Sequence, residues 1–71
     1  MEKEIKLSDG RTIKMREPKV RDMRIASADS SSAADQELRL IGNLTNLSPD
    51  ELDDLSFKDY GVLQKELKSF L

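Results

Sequence analysis

The chain has no cysteine, no histidine and no tryptophan among its 71 residues. Without cysteine there is no disulfide staple and no thiol nucleophile. Without histidine the commonest general base is missing, and the two absences together remove the usual zinc sites. Proline occurs twice and glycine three times, so no glycine-rich phosphate loop exists and no serine stands in a nucleophile motif. Apolar runs end after a few positions. Met1-Glu2-Lys3-Glu4-Ile5-Lys6 lacks the apolar core of a signal segment, so the sequence predicts neither export nor membrane insertion and points to the cytoplasm. These absences predict a protein that is not an enzyme and takes no metal or cofactor.

What is present is charge. At this length the expectation is one small domain spanning 1–71, burying roughly 60–65% of its unfolded surface, and such a core benefits from a partner. The formal net charge of −2 hides an asymmetry, since residues 1–24 carry +3 and residues 25–71 carry −5. Fields of this size are screened within about 8–10 Å, so the split marks contact surfaces rather than long-range steering.

Ile5, Leu7, Ile13 and Met15 alternate with charged residues around Ser8-Asp9-Gly10, the pattern of a hairpin at about 4–16. A two-residue Asp-Gly loop would put Ile5 and Leu7 on the face opposite Ile13 and Met15. A three-residue loop with Gly10 in the left-handed region pairs Ile5 with Ile13 and puts all four on one face. The second register is expected, and helices must cover that face because an isolated hairpin is unstable. Pro18 ends the second strand.

Four helical segments follow. Val20, Met23 and Ala26 suggest a narrow apolar stripe on a helix at about 19–27, and the small polar residues 28–32 read as a flexible linker. Ser31 or Ser32 then caps a helix at about 33–45 whose stripe is Ala34, Leu38, Ile41 and Leu44, with Leu40 beside it. Gly42 weakens that helix, and Asn46 suits the left-handed position that closes it. Ser48, Pro49 and Glu51 form a capping box with a Leu47–Leu52 staple, starting a short helix at about 49–54. Ser56 and Asp59 repeat the box loosely, with Leu55 and Tyr60 at the staple positions, before a helix at about 57–70. Its face is Tyr60, Leu63, Leu67 and Phe70 or Leu71, with Val62 adjacent. The expected fold is α+β, an N-terminal β-hairpin with three to four short helices packed on one face.

The acids Asp50, Glu51, Asp53, Asp54 and Asp59 read as first-turn residues that complement helix starts, since their spacing lacks the alternating ligands and turn glycine of a calcium loop. The basic set Lys3, Lys6, Arg11, Lys14, Arg16, Lys19, Arg21 and Arg24 raises the alternative of a small nucleic-acid-binding regulator. The acidic total and the scarcity of stacking aromatics oppose it. Phe57, Tyr60 and Phe70, the only aromatics, read as core, with Phe70 and Leu71 as a possible anchor for a partner.

Three blocks also form a recognisable set. Ile13-Lys14-Met15-Arg16-Glu17-Pro18-Lys19-Val20-Arg21-Asp22-Met23 precedes Leu40-Ile41-Gly42-Asn43-Leu44-Thr45-Asn46-Leu47-Ser48-Pro49-Asp50-Glu51-Leu52-Asp53-Asp54-Leu55, and then Lys58-Asp59-Tyr60. The set resembles the small tail assembly chaperones of contractile-tailed bacteriophages, of the Mu-like group, over nearly the whole chain. Asn46 stands where glycine is common in that group, and asparagine also tolerates the left-handed conformation. The resemblance implies a non-enzymatic helper that binds the aggregation-prone tape-measure protein, helps recruit tail-tube subunits in the host cytoplasm, and is absent from the finished virion. It also implies that a longer frameshifted form can accompany this one, which would be the short form. A minor structural tail protein is the remaining alternative. For client contact the expected residues are Leu63, Leu67, Phe70 and Leu71, with Met15 and Met23 as adaptable neighbours.

Overall fold

The computed structural model describes residues 2–28 and 32–70. Most of the expected linker, residues 29–31, lies outside the described residues, as does Leu71. Strands β1 (Glu2–Lys6) and β2 (Thr12–Arg16) pair antiparallel with Ile5 opposite Ile13. Across the loop the Leu7 N–H donates to the Arg11 carbonyl at 2.9 Å and the Gly10 N–H to the Leu7 carbonyl at 3.1 Å. Gly10 has φ of +93°, a conformation that suits glycine because it has no Cβ. This is the three-residue register, and Ile5, Leu7, Ile13 and Met15 are all buried.

Helix α1 (Val20–Ala28) departs from the expected stripe. Val20 and Met23 are 73% and 60% exposed, while Asp22 and Ala26 are buried. The reason is electrostatic. Arg16 donates to both carboxylate oxygens of Asp22, Nη1 to Oδ2 at 2.8 Å and Nη2 to Oδ1 at 2.6 Å, and Asp22 Oδ2 also accepts the Lys19 N–H at 2.8 Å. A bidentate charged bond combined with a helix-start cap outweighs two apolar side chains on a short helix, and it turns the 22/26 face inward.

Helix α2 (Ala33–Thr45) is the hub, touching α1, β2, the short helix α3 (Pro49–Asp53) and the last helix α4 (Phe57–Ser69). The Asp35 N–H donates to Ser32 Oγ at 3.2 Å, and Asn46 closes the helix at φ 61° in the left-handed region. Ile41 and Leu44 are buried, Leu38 and Leu40 are half-buried, and Ala34 is exposed rather than part of the covered stripe. Gly42 does more than weaken α2. A Cβ there would stand 3.1 Å from the Leu47 carbonyl oxygen and 3.2 Å from Leu52 Cδ1, so its bare backbone lets the chain returning into α3 lie against α2.

The double cap follows. Glu51 N–H donates to Ser48 Oγ at 3.2 Å while Ser48 N–H donates to Glu51 Oε1 at 3.0 Å, completing the box at α3. At α4 only half of the second box forms, with Asp59 N–H donating to Ser56 Oγ at 3.2 Å. The Asp59 carboxylate is used elsewhere. It is buried and accepts the Ser8 N–H at 2.9 Å and the Ser8 hydroxyl at 3.0 Å, fastening the hairpin loop to the start of α4. Aspartate is one methylene shorter than glutamate, and the loop offers it two donors at once.

The core joins the hairpin face to Ile41 and Leu44 of α2, Leu52 of α3, and Leu63 and Leu67 of α4, with Tyr60, Val62 and Phe70 packed partly against it. Phe57, expected inside, is instead 94% exposed. It is the first residue of α4, and Leu55 and Tyr60, on either side of the cap, are the residues packed against the core. Lys3 closes the far end of the core. Its ammonium lies 4.9 Å from the centroid of the Phe70 ring and 3.5 Å from Glu66, and it donates to Ser69 Oγ.

The two helical glycines separate local propensity from packing. A Cβ at Gly61 meets nothing within 4 Å, so Gly61→Ala stabilises the domain by about 0.5–1 kcal/mol. Gly42→Ala destabilises it, because the backbone oxygen it meets is fixed by the turn at Asn46. Thermal melts of the two variants check this, and a raised Tm for Gly42→Ala would refute the close-packing account.

Candidate interaction surface

The residues expected to contact a client fall mainly in the interior. Met15 and Leu63 have no exposed surface, and Leu67 is also buried. Phe70 is half-buried under Lys3, Leu71 lies outside the described residues, and Met23 alone of the set is well exposed. The structure therefore brings Met15, Leu63, Leu67 and Phe70 together as core and its cover. In this conformation Met15, Leu63 and Leu67 offer no face to a partner. An amphipathic stripe read from sequence does not reveal whether its apolar side meets the chain's own hairpin or another molecule, and here the hairpin takes it.

The apolar surface that remains lies elsewhere. One groove of about 350 Å³ runs between α1, α2 and α3, walled by Ile25, Leu38, Leu47 and Leu52 with Asp35 and Arg39 among its polar residues. A second, of about 450 Å³, lies between α2 and the α3–α4 corner, with Leu38, Leu52, Leu55, Phe57 and Tyr60 as its apolar wall. Leu38, Leu52 and Asp53 line both, so the grooves adjoin. Glu37 Oε1 accepts from the Tyr60 hydroxyl at 2.8 Å and from Gln64 Nε2 at 2.6 Å, which fixes the floor of the second groove. Burial, and then the neighbouring Glu37 carboxylate, push the Tyr60 phenol well above its ordinary pKa, so it remains a neutral donor.

Phe57 and Ile25 are the surface residues that sequence reasoning missed. The signal for Phe57 was available: it follows the Ser56 cap directly, between two staple residues, and so cannot share their direction. Ile25 carried no comparable signal, because its exposure follows from the inward rotation of Asp22. Among the basic residues, Lys3, Arg11 and Arg16 are paired within the chain, to Glu66, Asp9 and Asp22. Of the acids, Glu51 completes a cap and Asp59 holds Ser8. Among the described residues no group of acids is arranged to hold a metal ion.

The chain matches the family described as "Phage tail assembly chaperone proteins, E, or 41 or 14" over residues 3–71. It belongs to the phage tail assembly chaperone family. No curated protein and no solved structure matches it. The family places the chaperone in tail assembly, with tail proteins as its partners. Among the described residues no helix is long and apolar enough to cross a membrane.

The chaperone's sequence blocks now have physical content. In Arg16-Glu17-Pro18-Lys19-Val20-Arg21-Asp22 the two ends clasp one another around the turn at Pro18. Arg16 Nη2 also reaches the Asn43 carbonyl of α2 at 3.3 Å, so one guanidinium joins β2, α1 and α2. The Arg16 hydrogen bonds, helped by the Lys19 amide and opposed by burial, lower the Asp22 carboxyl from an ordinary 3.8 to about 2. A group whose pKa is depressed on folding stabilises the fold above its unfolded pKa and loses that contribution as pH falls through the folded value. The Asp22 contribution is therefore complete above about pH 4 and disappears towards pH 2. Because Arg16 is partly solvated, the contribution is on the order of 1–2 kcal/mol. Urea denaturation from pH 2 to pH 5 should show the stability gap between the chaperone and its Asp22→Asn variant opening across that range. A gap independent of pH would mean that the clasp is not electrostatic.

Proposed function

We propose that this tail assembly chaperone acts without catalysis, as one small domain in the host cytoplasm, by binding the tape-measure protein and helping to recruit tail-tube subunits. It leaves before the virion is complete, and a longer frameshifted form of the same chain can share the task. The observation that carries this reading is the pair of adjoining apolar grooves, with a fully exposed phenylalanine at one end, on a chain of this family. A surface of this kind shields apolar helical segments of a long client from aggregation while leaving the chaperone's acidic exterior in water. The basic N-terminal set supports nucleic-acid binding less well, since three of its members are already paired within the domain.

Co-expression with the tape-measure protein of the same phage tests the proposal. The client should become soluble and co-purify with the chaperone, and purified virions should lack the chain. A client equally soluble without the chaperone, or virions holding it in stoichiometric amounts, would overturn the reading.

A further inference from the structure

The groove between α2 and the α3–α4 corner combines three features. Its apolar wall ends in Phe57, an aromatic ring 94% exposed. The backbone that presents Phe57 is fixed, since its helix starts at the Ser56 cap and the preceding corner carries the Ser48–Glu51 box. An exposed aromatic presented from a fixed backbone is the kind of anchor that dominates interface energetics. Finally, the groove's charges have one sign. Glu37 and Asp53 line it, no lysine or arginine does, and neither acid forms an ion pair among the described residues.

We infer that this groove is the docking site for an amphipathic α-helix with an apolar stripe and lysine or arginine along its flanks, the stripe seated against Phe57, Leu38 and Leu55 and the basic flanks facing Glu37 and Asp53. An extended peptide fits less well. The walls are helices whose backbone groups are already bonded, so a strand would find no ladder to join, whereas a helix satisfies its own backbone. An acidic helix would set like charge against both carboxylates, and a neutral one would bring no cation to Asp53 or to Glu37, whose Oε1 accepts only from the uncharged Tyr60 and Gln64 side chains. The inference rests on the tail-assembly reading only for which protein owns the helix, since the chemistry of the groove is a property of this chain.

Two labelled peptides of about 20 residues, long enough to hold helical structure, separate the cases. Both carry the same leucine and phenylalanine stripe, one with lysine flanks and the other with glutamate flanks. Fluorescence anisotropy with the full chain should show the lysine peptide binding about tenfold or more tighter than the glutamate peptide. Phe57→Ala should weaken the lysine peptide by about tenfold or more, and Glu37→Gln should narrow the gap between the peptides. Val20→Ser, an exposed apolar site outside the groove, should change neither. Because Phe57 is exposed, its variant should keep the fold, and an unchanged circular dichroism spectrum would check this. Equal binding of the two peptides would overturn the inference, as would no binding of either or indifference to Phe57→Ala. Sedimentation in which Phe57→Ala dissolves a self-associated chaperone would assign the groove to a second copy and also overturn it. Loss of tape-measure co-purification with the unaltered chaperone would instead count against the function proposed above, leaving the peptide result intact.

Discussion

A two-stranded hairpin has one apolar face and no second sheet to cover it, and the rest of this domain is arranged around that constraint. Ile5, Leu7, Ile13 and Met15 lie side by side, and the register that puts them there depends on Gly10 in a left-handed turn. The cover is supplied by α2 and α4, through Ile41, Leu44, Leu63 and Leu67. In so short a chain, little apolar surface is left once that face is satisfied. The best amphipathic helices are therefore committed to the interior.

Two buried carboxylates then fix how the helices sit on the hairpin. Asp59 holds the loop at Ser8, and Asp22 holds the end of β2 through Arg16. Both lie in the first turn of a helix, where exposed backbone amides favour an acid; Asp22 serves its own helix start and the end of β2 together, whereas the Asp59 carboxylate goes to the hairpin loop. The Asp22 clasp has a visible consequence at the surface. By drawing its own side of α1 inward it leaves Val20, Met23 and Ile25 outside, and Ile25 becomes part of a groove wall.

The chaperone thus separates its apolar residues into two populations. One is enclosed and maintains the fold, while the other lies along α2 and the capped corner, open to solvent. The second population is small and bordered by charged residues, which suits reversible recognition better than permanent association, where larger and more apolar interfaces prevail. The double cap between Leu47 and Tyr60 contributes to both, for it sets the angle between α3 and α4 and presents Phe57 at the bend.

Much of the local physics was legible in the chain. Hairpin register, helix caps at Ser48 and Ser56, the left-handed end at Asn46 and the family's sequence blocks all depend on residues within a few positions of each other, where backbone preference and short-range hydrogen bonds decide the outcome. Longer-range competition was not legible. Asp59 is drawn from its own cap to Ser8, 51 positions away in sequence, and Asp22 overrides an apolar stripe because Arg16 happens to lie beside it in space. Gly42, which locally only weakens a helix, becomes the contact point for a returning chain. The sequence by itself determined the kinds of element, their order and the family. Tertiary structure decided which apolar faces were consumed by the hairpin and which remained exposed, because burial depends on what each face meets and periodicity records only that a face exists.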